Sequence, residues 1–380
     1  MKRLVLLITV VAAMTFASCT KKSPVEGSNT VVIPPSNDTV EPGPGGDTLN
    51  PVHLRGLFIA NEGTFTYANS SLSYYDMETN AVQNNIFFIA NGSPIGDVCQ
   101  SLTKYDGSLY LVVNNSKYIY KVDAGSIQYQ AKIEGFTSPR YMLCVGDDKA
   151  YVSDLESTGI WILNLNSLTK TFLETGNTTE GMVKIDDEVF VANWSNYYPS
   201  LNGITTSNKT IQVIDCVADT LKCEIEVAQE PNSMVVDKYN HIWVSCSGSY
   251  VDGNQDPALI CIDAATKTVI KRFDFTPGVD YPSGLAIDGA GENVFFMNGG
   301  MSMLSVYKMS VDATELPDTP FISSNSKVFY NIKVNPENGD IYITDAKNYV
   351  QNGDLLRYSA DGTLLGTFSL GIIPSYMLFN

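Results

Sequence analysis

The sequence predicts an all-β fold, a seven-bladed β-propeller, and three observations support this prediction. The first is an internal repeat. A short apolar run occurs seven times at spacings of roughly 40 to 55 residues, a period that is typical of propellers and solenoids. Six of the seven copies end in Asn or Asp. The copies span residues 56–61, 110–114, 151–154, 190–193, 243–246, 295–298 and 342–345.

The second observation is the composition of the segments around these runs. Residues 109–113 and 118–122 are rich in β-branched and aromatic side chains, as strands are. Asp106-Gly107, Asn338-Gly339 and Asp361-Gly362 fit hairpin turns, because these residue types tolerate the positive φ that such turns require. No helical period of useful length is present. Seven four-stranded units in about 325 residues are what a seven-bladed propeller requires.

The third observation concerns closure of the ring. The first blade contains only three strand signals, whereas residues 374–379 have the sequence of an innermost strand without a blade. We therefore expect the C-terminal strand to complete the first blade, which removes an exposed sheet edge. A six-bladed ring, with an irregular sixth blade around residues 315–320, is the competing count. The predicted blades span residues 55–98, 99–140, 141–181, 182–233, 234–284, 285–331 and 332–371.

The N-terminal region is predicted to export and anchor the propeller domain of residues 54–380. Residues 1–18 have a basic start, an apolar stretch and small residues before Cys19, as in a lipoprotein signal peptide. Residues 19–53 then form a lipidated Cys19 and a flexible tether rich in Pro and Gly, which cannot bury a core. An ordinary signal peptide with an unmodified cysteine is the alternative. No later run reaches the ~20 apolar residues of a membrane span.

The net charge excludes several classes of partner. The formal charge is −17, and removal of Lys2 and Arg3 with the signal peptide changes it to −19. Such a field repels nucleic acid, anionic lipid and polyanionic glycans. We therefore expect no nucleic-acid partner and contact with the membrane through the lipid anchor only.

The sequence offers few groups for catalysis or metal binding. Its two histidines are His53, in the predicted tether, and His241, in a short turn. A Ser-His-Asp site or a His-ligated metal site therefore has little to be built from. No Cys-x-x-Cys pair or phosphate-binding loop is present, and no spacing singles out a pair of carboxylates. We expect a protein that is not an enzyme and needs no cofactor or metal.

Beyond Cys19 the sequence contains six cysteines, and their pairing stays open. They are Cys99, Cys144, Cys216, Cys223, Cys246 and Cys261. An extracytoplasmic compartment permits disulfides. Cys216 and Cys223 flank one hairpin turn, and Cys246 and Cys261 are expected on neighbouring strands. The alternative is that most of the six are buried and reduced, and sequence alone does not decide the connectivity.

The two faces of the predicted ring differ in their loops. The turns between the first and second strands of a blade are short, as at residues 105–108 and 237–240. The loops on the other face are long and rich in Tyr, Trp and Asn, as at residues 61–70 and 193–209. Loops on a rigid scaffold commonly carry binding residues, and aromatic side chains provide contact area at low entropic cost. The candidate ligand-binding residues are Arg140, Tyr141, Trp194, Asn196, Tyr197, Tyr198, Asn232, Tyr250, Tyr281, Tyr349 and Tyr376.

Two structural interpretations stand beside this one. The Asn or Asp at the end of each repeated run is expected to cap loop backbone, since these side chains do so locally, or to contact a ligand or ion. A single aromatic loop residue is expected to pack between blades more often than to bind a ligand. The cluster Trp194, Tyr197 and Tyr198 with Asn196 is harder to bury, and we expect it to be exposed.

Several phrases of the sequence resemble known propellers. Residues 211–215 and 259–269 are similar to YncE-type and surface-layer-like propellers of bacteria. Residues 58–63, 71–76 and 96–101 resemble, more narrowly, propeller lipoproteins of the Bacteroidota. One branch of that group, the BtuG-type proteins, captures vitamin B12 at the cell surface and passes it to a TonB-dependent transporter.

This resemblance implies a lipoprotein of the outer membrane that faces the cell exterior. It implies capture of a corrinoid on the loop-rich face and transfer to a TonB-dependent outer-membrane transporter. A corrinoid is broad and carries many amides, which suits a shallow aromatic bowl with Asn, Ser and Tyr. Capture of another nutrient, such as a ferric siderophore held by Arg140, Lys117 and Lys347, is one alternative. A protein-interaction or envelope-structural propeller without a small ligand is the other.

Overall fold

The computed structural model describes residues 48–50, 52–53, 55–195, 207–248, 256–300 and 303–380. Within these ranges the chain forms seven antiparallel sheets. The innermost strand of each sheet contacts the innermost strands of the two neighbouring sheets, and these contacts run around the ring without a break. The chain is a seven-bladed β-propeller, as the repeat predicts.

The strands of the first four blades follow one another along the chain. Blade one begins with β1 (Gly56–Asn61), β2 (Ser71–Asp76) and β3 (Ala81–Gln83), followed by the helix α1 (Ile86–Asn91). Blade two contains β4 (Cys99–Tyr105), β5 (Ser108–Val113), β6 (Tyr118–Asp123) and β7 (Tyr129–Glu134). Blade three contains β8 (Pro139–Gly146), β9 (Lys149–Asp154), β10 (Gly159–Asn164) and β11 (Lys170–Glu174). Blade four contains β12 (Met182–Ile185), β13 (Glu188–Ser195), β14 (Ser207–Asp215) and β15 (Thr220–Glu226).

The remaining strands form blades five to seven and return to blade one. Blade five contains β16 (Pro231–Val236), β17 (His241–Cys246), β18 (Ala258–Asp263) and β19 (Thr268–Asp274). Blade six contains β20 (Ser283–Ile287), β21 (Asn293–Gly300) and β22 (Met303–Ser310). Blade seven contains β23 (Phe329–Val334), β24 (Ile341–Asp345), β25 (Asn352–Tyr358) and β26 (Leu364–Ile372). The last strand is β27 (Pro374–Phe379).

The repeated apolar run is the second strand of every blade. β1 and β5 are buried along their whole length, because one side of the sheet packs on the preceding blade and the other side on the following blade. A strand that is covered on both faces has no polar positions to alternate with apolar ones. This is why the run is continuously apolar and why its copies can be recognised in the sequence.

The C-terminal strand closes the ring as predicted. β27 pairs antiparallel with β1, with Leu57 opposite Phe379 and Ile59 opposite Met377. Blade one therefore takes its innermost strand from one end of the chain and its other strands from the opposite end. Pairing the two ends removes a free edge and makes the integrity of the ring depend on both.

Blade six is irregular, as the six-bladed alternative assumed. It nevertheless forms its own sheet, so the ring has seven blades. Its described residues form three strands, and an isolated bridge joins Val306 and Ile322 beyond them. Blades three, five, six and seven begin two or three residues before the predicted boundaries. Pro139 and Pro231 are the first residues of their strands, a position where the missing proline N–H is tolerated.

The helix α1 was not expected from the sequence. It has six residues, buries Ile86 and Phe87, and is followed by Gly92, whose N–H donates to the carbonyl of Phe88. A single turn and a half is shorter than the window in which a helical period can be recognised. In the described part of the chain, no helix combines the length and the apolar composition that a membrane crossing needs.

The end of the predicted tether contacts blade one. The backbone N–H of Asn50 donates to Gln83 Oε1 at 3.0 Å, and Gln83 Nε2 donates to the carbonyl of Thr48 at 2.9 Å. Tyr74 donates its hydroxyl to the carbonyl of His53. The polar side chains of blade one therefore hold residues 48, 50 and 53 in place. The predicted signal peptide and Cys19 lie outside the described residues.

The six cysteines after Cys19 are free thiols. Cys246 and Cys261 lie on the paired strands β17 and β18, as expected, but Cys246 is opposite Ala258 and Cys261 is opposite Trp243. Cys216 lies just beyond β14, whereas Cys223 is opposite Val213. Neither of the two neighbouring pairs is in register, which is why neither is bonded. Burial raises the pKa of the Cys144 thiol to about 11 and that of Cys261 to about 12.

A candidate ligand-binding cavity at the loop face

A cavity of about 870 Å³ opens at the centre of the ring. Its walls are the first residues of the innermost strands, the blade connections that lead into them, and loop residues such as Asn115 and Lys117. It therefore lies on the face with the long loops. Its volume falls within the range of ~300–1,000 Å³ that is usual for small-molecule sites.

A smaller cavity of about 520 Å³ lies at the other end of the ring. It is lined by the ends of the innermost strands and by short turns, including Asp237 and Lys238. Val235, Leu285 and Lys333 border both cavities. The short turns of blades five to seven thus border the smaller cavity, and the larger cavity lies on the loop face.

Six innermost strands carry a β-bulge near their first residue. In each of these strands, the second residue has no partner of its own on the neighbouring strand. This residue lines the large cavity. Bulges are common beside binding sites, because the extra residue redirects a side chain. The bulge residues are Gln100, Arg140, Asn232, Gly284, Tyr330 and Ser375.

Blade four has the same arrangement just before β12. Ala192 accepts a hydrogen bond from the N–H of Glu180 and donates one to the carbonyl of Gly181, so two residues face one. Glu180 and Gly181 also line the cavity. All seven blades therefore place a residue at an equivalent position on the cavity wall, and six of these residues have a side chain, since blade six has Gly284.

Polar side chains of the preceding blade support several of these bulges. Ser101 donates to the carbonyl of Arg140 at 2.6 Å, and Asn331 donates to the carbonyl of Ser375 at 2.7 Å. The hydroxyl of Ser233 accepts the N–H of Leu285 at 3.0 Å. A bulge leaves backbone groups unpaired in its own ladder, and a buried backbone group needs a partner. The neighbouring blade supplies that partner, which holds the cavity wall rigid.

Arg140 is bound by two side chains in the cavity. Its guanidinium donates to both oxygens of Glu180 at 2.7–3.1 Å and also to Gln100 Oε1. Burial lowers the pKa of Arg140, but the Glu180 carboxylate outweighs this effect and the pKa lies above its ordinary value. Arg140 also lies 6.0 Å from the ring centre of Trp194. This ion pair joins blades three and four at the cavity wall.

Glu62 is a second acidic group in the cavity, and no described cation forms an ion pair with it. It follows β1, and its carboxylate accepts the hydroxyl of Tyr330 at 3.4 Å. Burial raises the pKa of the Glu62 carboxyl above its ordinary value, although the charge of Arg140 acts in the opposite direction. The guanidinium of Arg140 is already engaged by Glu180, so Glu62 receives its attraction only at a distance.

Aromatic side chains cover much of the remaining wall. The rings of Tyr141 and Tyr376 have centroids 6.1 Å apart, and Tyr330 is supported from outside the wall by Tyr349, which meets it edge to face at 6.0 Å. Burial raises the pKa of Tyr141 and of Tyr330 above the ordinary value. These phenols are therefore neutral at physiological pH and act as hydrogen-bonding and stacking groups.

The structure brings five of the predicted binding residues together. Arg140, Tyr141, Trp194, Asn232 and Tyr376 all line the cavity.

Two predicted residues stand apart from the cavity wall. Tyr349 packs against Tyr330 and remains 40 % exposed. Tyr281 is half-buried in the connection before β20, where its N–H donates to the carbonyl of Gly299. Asn196, Tyr197, Tyr198 and Tyr250 lie outside the described residues.

Sequence reasoning missed several cavity residues. Glu62, Gln100, Glu180, Tyr330 and Ser375 were not singled out as contacts. A partial signal was available, because a proline often marks the start of an innermost strand and the next residue is the bulge. Residues 139–140, 231–232 and 374–375 follow this pattern, whereas the strands of Gln100 and Tyr330 begin without proline.

The Asn and Asp residues that end the second strands form internal hydrogen bonds. Asp154 accepts the N–H groups of Thr137, Ser138 and Glu156 and the indole N–H of Trp161. Equivalent bonds from Asn61, Asn114, Asn193, Asn298 and Asp345 reach adjacent strands or the connection leading into a blade. These contacts favour the capping interpretation over ligand contact, although Asn114 also reaches the cavity wall.

One cluster in the described part of the chain has the residue types of a metal site. Ligand atoms of Asp237, His241 and Cys261 lie within 4.8 Å of one another, at the turn face. Asp237 is already used by the fold, because it accepts the N–H groups of Tyr239 and His241 and the indole N–H of Trp243. The cluster is explained as a cap of the β16–β17 turn and lies away from the large cavity.

Comparison with protein families places the whole propeller in one family. The model of the domain of unknown function DUF5074 matches residues 55–379. The chain belongs to the DUF5074 family. A search among curated proteins finds no match.

Solved structures share the architecture of this DUF5074 propeller at low sequence identity. A quinonprotein alcohol dehydrogenase-like protein from Bacteroides thetaiotaomicron is 16 % identical, with a TM-score of 0.65 over 87 % of this chain and 79 % of its own. A protein from Lactobacillus plantarum is 11 % identical, with a TM-score of 0.62 over 86 % and 99 %. The hydrazine synthase of Kuenenia stuttgartiensis is 13 % identical, with a TM-score of 0.54 over 73 % and 88 %. At these identities the likeness establishes the fold alone.

Proposed function

We propose that the large cavity captures a corrinoid without chemical turnover, and that the protein passes it to a TonB-dependent outer-membrane transporter. The observation that carries the proposal is the ring of bulge residues. Seven equivalent positions present seven different residues, six of them with side chains, to one cavity of about 870 Å³. A purely structural role would be met by similar residues, as it is at the ends of the second strands, where six of seven blades have Asn or Asp.

The charge of the cavity supports a ligand without strong charge. The described residues of the wall include three acidic side chains, Glu62, Glu156 and Glu180, and three basic ones, Lys117, Arg140 and Lys333. Their formal charges cancel, although the whole chain is strongly acidic. Neutral amides together with aromatic surface are what a corrinoid presents, and a balanced, hydrogen-bonding cavity is complementary to them.

The same balance argues against an anionic siderophore. The cationic patch expected for that ligand consisted of Arg140, Lys117 and Lys347. Arg140 is neutralised by Glu180, and Lys347 forms an ion pair with Asp354 at 2.8 Å. Only Lys117 of the three remains to attract a polyanion, which favours the corrinoid over the siderophore.

The capture proposal needs no catalytic group. The described part of the cavity wall contains neither histidine nor cysteine. The predicted lipid anchor at Cys19, the outer-membrane location facing the exterior and the transporter as partner belong to the same proposal. They rest on the sequence and on its resemblance to BtuG-type proteins.

The test is direct binding of cyanocobalamin to the purified protein. We expect the red corrinoid to co-elute with the protein on a sizing column, and titration calorimetry to measure its affinity. Trp194→Ala should weaken binding by roughly tenfold or more, since a buried aromatic contact commonly contributes over 1.4 kcal/mol. Its melting temperature should remain close to that of the wild type.

The matched control removes an aromatic side chain from the opposite face. Tyr239 lies in the β16–β17 turn and is 52 % exposed, so Tyr239→Ala should bind cyanocobalamin as the wild type does. Absence of co-elution at tens of micromolar corrinoid overturns the proposal, and retention of a ferric siderophore in the same assay would replace it. A large loss of stability in Trp194→Ala would identify Trp194 as a core residue instead.

A further inference from the structure

Glu62 is held so that its carboxylate has little freedom to move away from the cavity. Its N–H donates to the carbonyl of Ile373 at 2.9 Å, and its own carbonyl accepts the hydroxyl of Ser70 at 2.6 Å and the N–H of Val98 at 3.2 Å. The backbone of Glu62 is thereby bound to blades one, two and seven. Such fixation is typical of groups that must present a side chain in one orientation.

The carboxylate of Glu62 retains unused acceptor capacity. An ionised carboxylate has about four acceptor positions, and the described residues provide one long hydrogen bond, from Tyr330 at 3.4 Å, and a weaker approach of the Ser375 hydroxyl. Arg140 could have neutralised it but is engaged by Glu180 and Gln100. Glu62 is half-buried, so its carboxylate is partly desolvated, and a donor that enters the cavity would improve its hydrogen bonding. The side of Glu62 without protein partners faces the cavity.

A donor without an acceptor lies beside Glu62. Ser375 lines the cavity, is 6 % exposed, and its Oγ has no hydrogen-bond partner. Its hydroxyl approaches Glu62 closely enough to act as a weak hydrogen-bond donor that lowers the pKa of this carboxyl, although the contact falls short of full hydrogen-bond geometry. A second unpartnered donor, the indole N–H of Trp194, is buried elsewhere in the same cavity. The wall thus presents an acceptor and a donor side by side.

This pair is complementary to a primary carboxamide. The NH₂ of such a group donates to a carboxylate, and its carbonyl accepts from a hydroxyl. A carboxylate in the same place would have no proton to donate to Glu62 and would add a like charge, which is unfavourable in a desolvated site.

We propose that Glu62 and Ser375 form a carboxamide subsite that selects an amide side chain of the captured ligand and rejects the corresponding carboxylate. The inference rests on the proposed corrinoid capture and goes beyond it, since it assigns specificity to two residues. Glu62 contacts the ligand in this proposal, and Ser375 completes the recognition of the same group.

The experiment compares cyanocobalamin with its separated monocarboxylic acids, in each of which one peripheral amide is hydrolysed. Calorimetry is performed at pH 7.5 with the wild type, Glu62→Gln and Ser375→Ala. For the wild type, one monoacid should bind roughly 10- to 100-fold more weakly than cyanocobalamin, and the other monoacids should bind nearly as well. That pattern locates one amide in the subsite.

The variants then connect the discrimination to the two residues. Glu62→Gln should bind cyanocobalamin roughly 10-fold to 100-fold more weakly, and its discrimination against the sensitive monoacid should largely disappear. Ser375→Ala should lose roughly threefold to tenfold. Glu337→Gln makes the same chemical change on the turn face, where the side chain is 65 % exposed, and should leave affinity and discrimination unchanged.

The outcomes separate the two proposals. If the wild type binds neither cyanocobalamin nor any monoacid, both proposals fail. If it binds cyanocobalamin but treats every monoacid alike, or if Glu62→Gln preserves the discrimination, the subsite is wrong and corrinoid capture stands. A merely structural role of Glu62 would change the melting temperature without changing the ratio of affinities for amide and acid.

Discussion

Two positions recur in every blade at the loop end of the ring, and they differ in their chemistry. At the end of the second strand, six of seven blades have Asn or Asp. At the start of the innermost strand, the seven blades have seven different residues. These are Gln100, Arg140, Glu180, Asn232, Gly284, Tyr330 and Ser375.

The difference teaches which position serves the scaffold and which serves the cavity. The Asn and Asp side chains hold strands and connections together, and six of the seven blades meet this task with one of these two residue types. The bulge position has a similar backbone geometry in each blade, and its residues face one shared space. Each bulge residue is therefore expected to contact a different part of a ligand bound in the cavity. Arg140 and Glu180 are the exception, because they bind each other.

The largest loss of stability should come from removing the ion pair between Arg140 and Glu180. Arg140→Met leaves the Glu180 carboxylate, which is 4 % exposed, without its cation. Loss of one partner of a buried ion pair typically costs about 3–5 kcal/mol of unfolding free energy. Urea denaturation at pH 7 measures it. Adding Glu180→Gln to Arg140→Met should restore most of the loss, and a double variant as unstable as the single one would contradict the ion-pair explanation.

A somewhat smaller loss of stability should follow from a substitution at the end of a second strand. Asp154→Ala removes the acceptor of three backbone N–H groups and of the Trp161 indole, all near 3 Å. Leaving such donors unsatisfied should cost about 2–4 kcal/mol of unfolding free energy. Cyanocobalamin affinity should change little at temperatures where the variant is folded. If affinity fell while stability was retained, the division between scaffold and cavity positions would be wrong.

The smallest effect concerns the stability contribution of Glu62. Its pKa is raised in the folded state, so the native protein binds this proton more tightly than the unfolded chain. Stability linked to Glu62 is therefore complete below the unfolded pKa and is lost as the pH rises through the folded pKa. Glu62→Gln should melt roughly 1–3 °C higher than the wild type at pH 8, and this difference should vanish near pH 4.

The charged groups around Glu62 do not obscure this pH dependence. Arg140, Tyr330, Tyr349, Tyr141 and Cys99 interact with its charge. The pKa of each of them is raised above an ordinary value that already lies well above neutrality. The exposed control, Glu337→Gln, should show no such dependence. Equal melting temperatures of Glu62→Gln and the wild type at pH 8 would show that the Glu62 carboxylate is well solvated.

Repetition explains why the architecture could be predicted from the sequence. A strand that is buried on both faces must be apolar throughout, and seven copies of one such strand imply seven blades. The unassigned strand at residues 374–379 indicated closure of the ring. It has the sequence of an innermost strand, and only the first blade lacked one. The richer loops indicated the face with the cavity, since short turns leave no room for a binding surface.

The cavity could be predicted only in part. Arg140, Tyr141, Asn232 and Tyr376 could be predicted because they are polar or aromatic residues in blade connections of the loop-rich face. Glu62 follows a repeated run like any loop residue, and nothing in its neighbours signals that it lines the cavity.

The sequence by itself determined the seven blades, the closure by the C-terminal strand and the loop-rich face, because burial on two sides imposes a pattern that each blade repeats. Only the tertiary structure decided that the bulge residues converge, that Arg140 binds Glu180 and that Glu62 is left without a cation. These are contacts between blades separated by 40 residues or more along the chain. Such contacts depend on where the ring places each strand, and a local sequence pattern does not predict this placement.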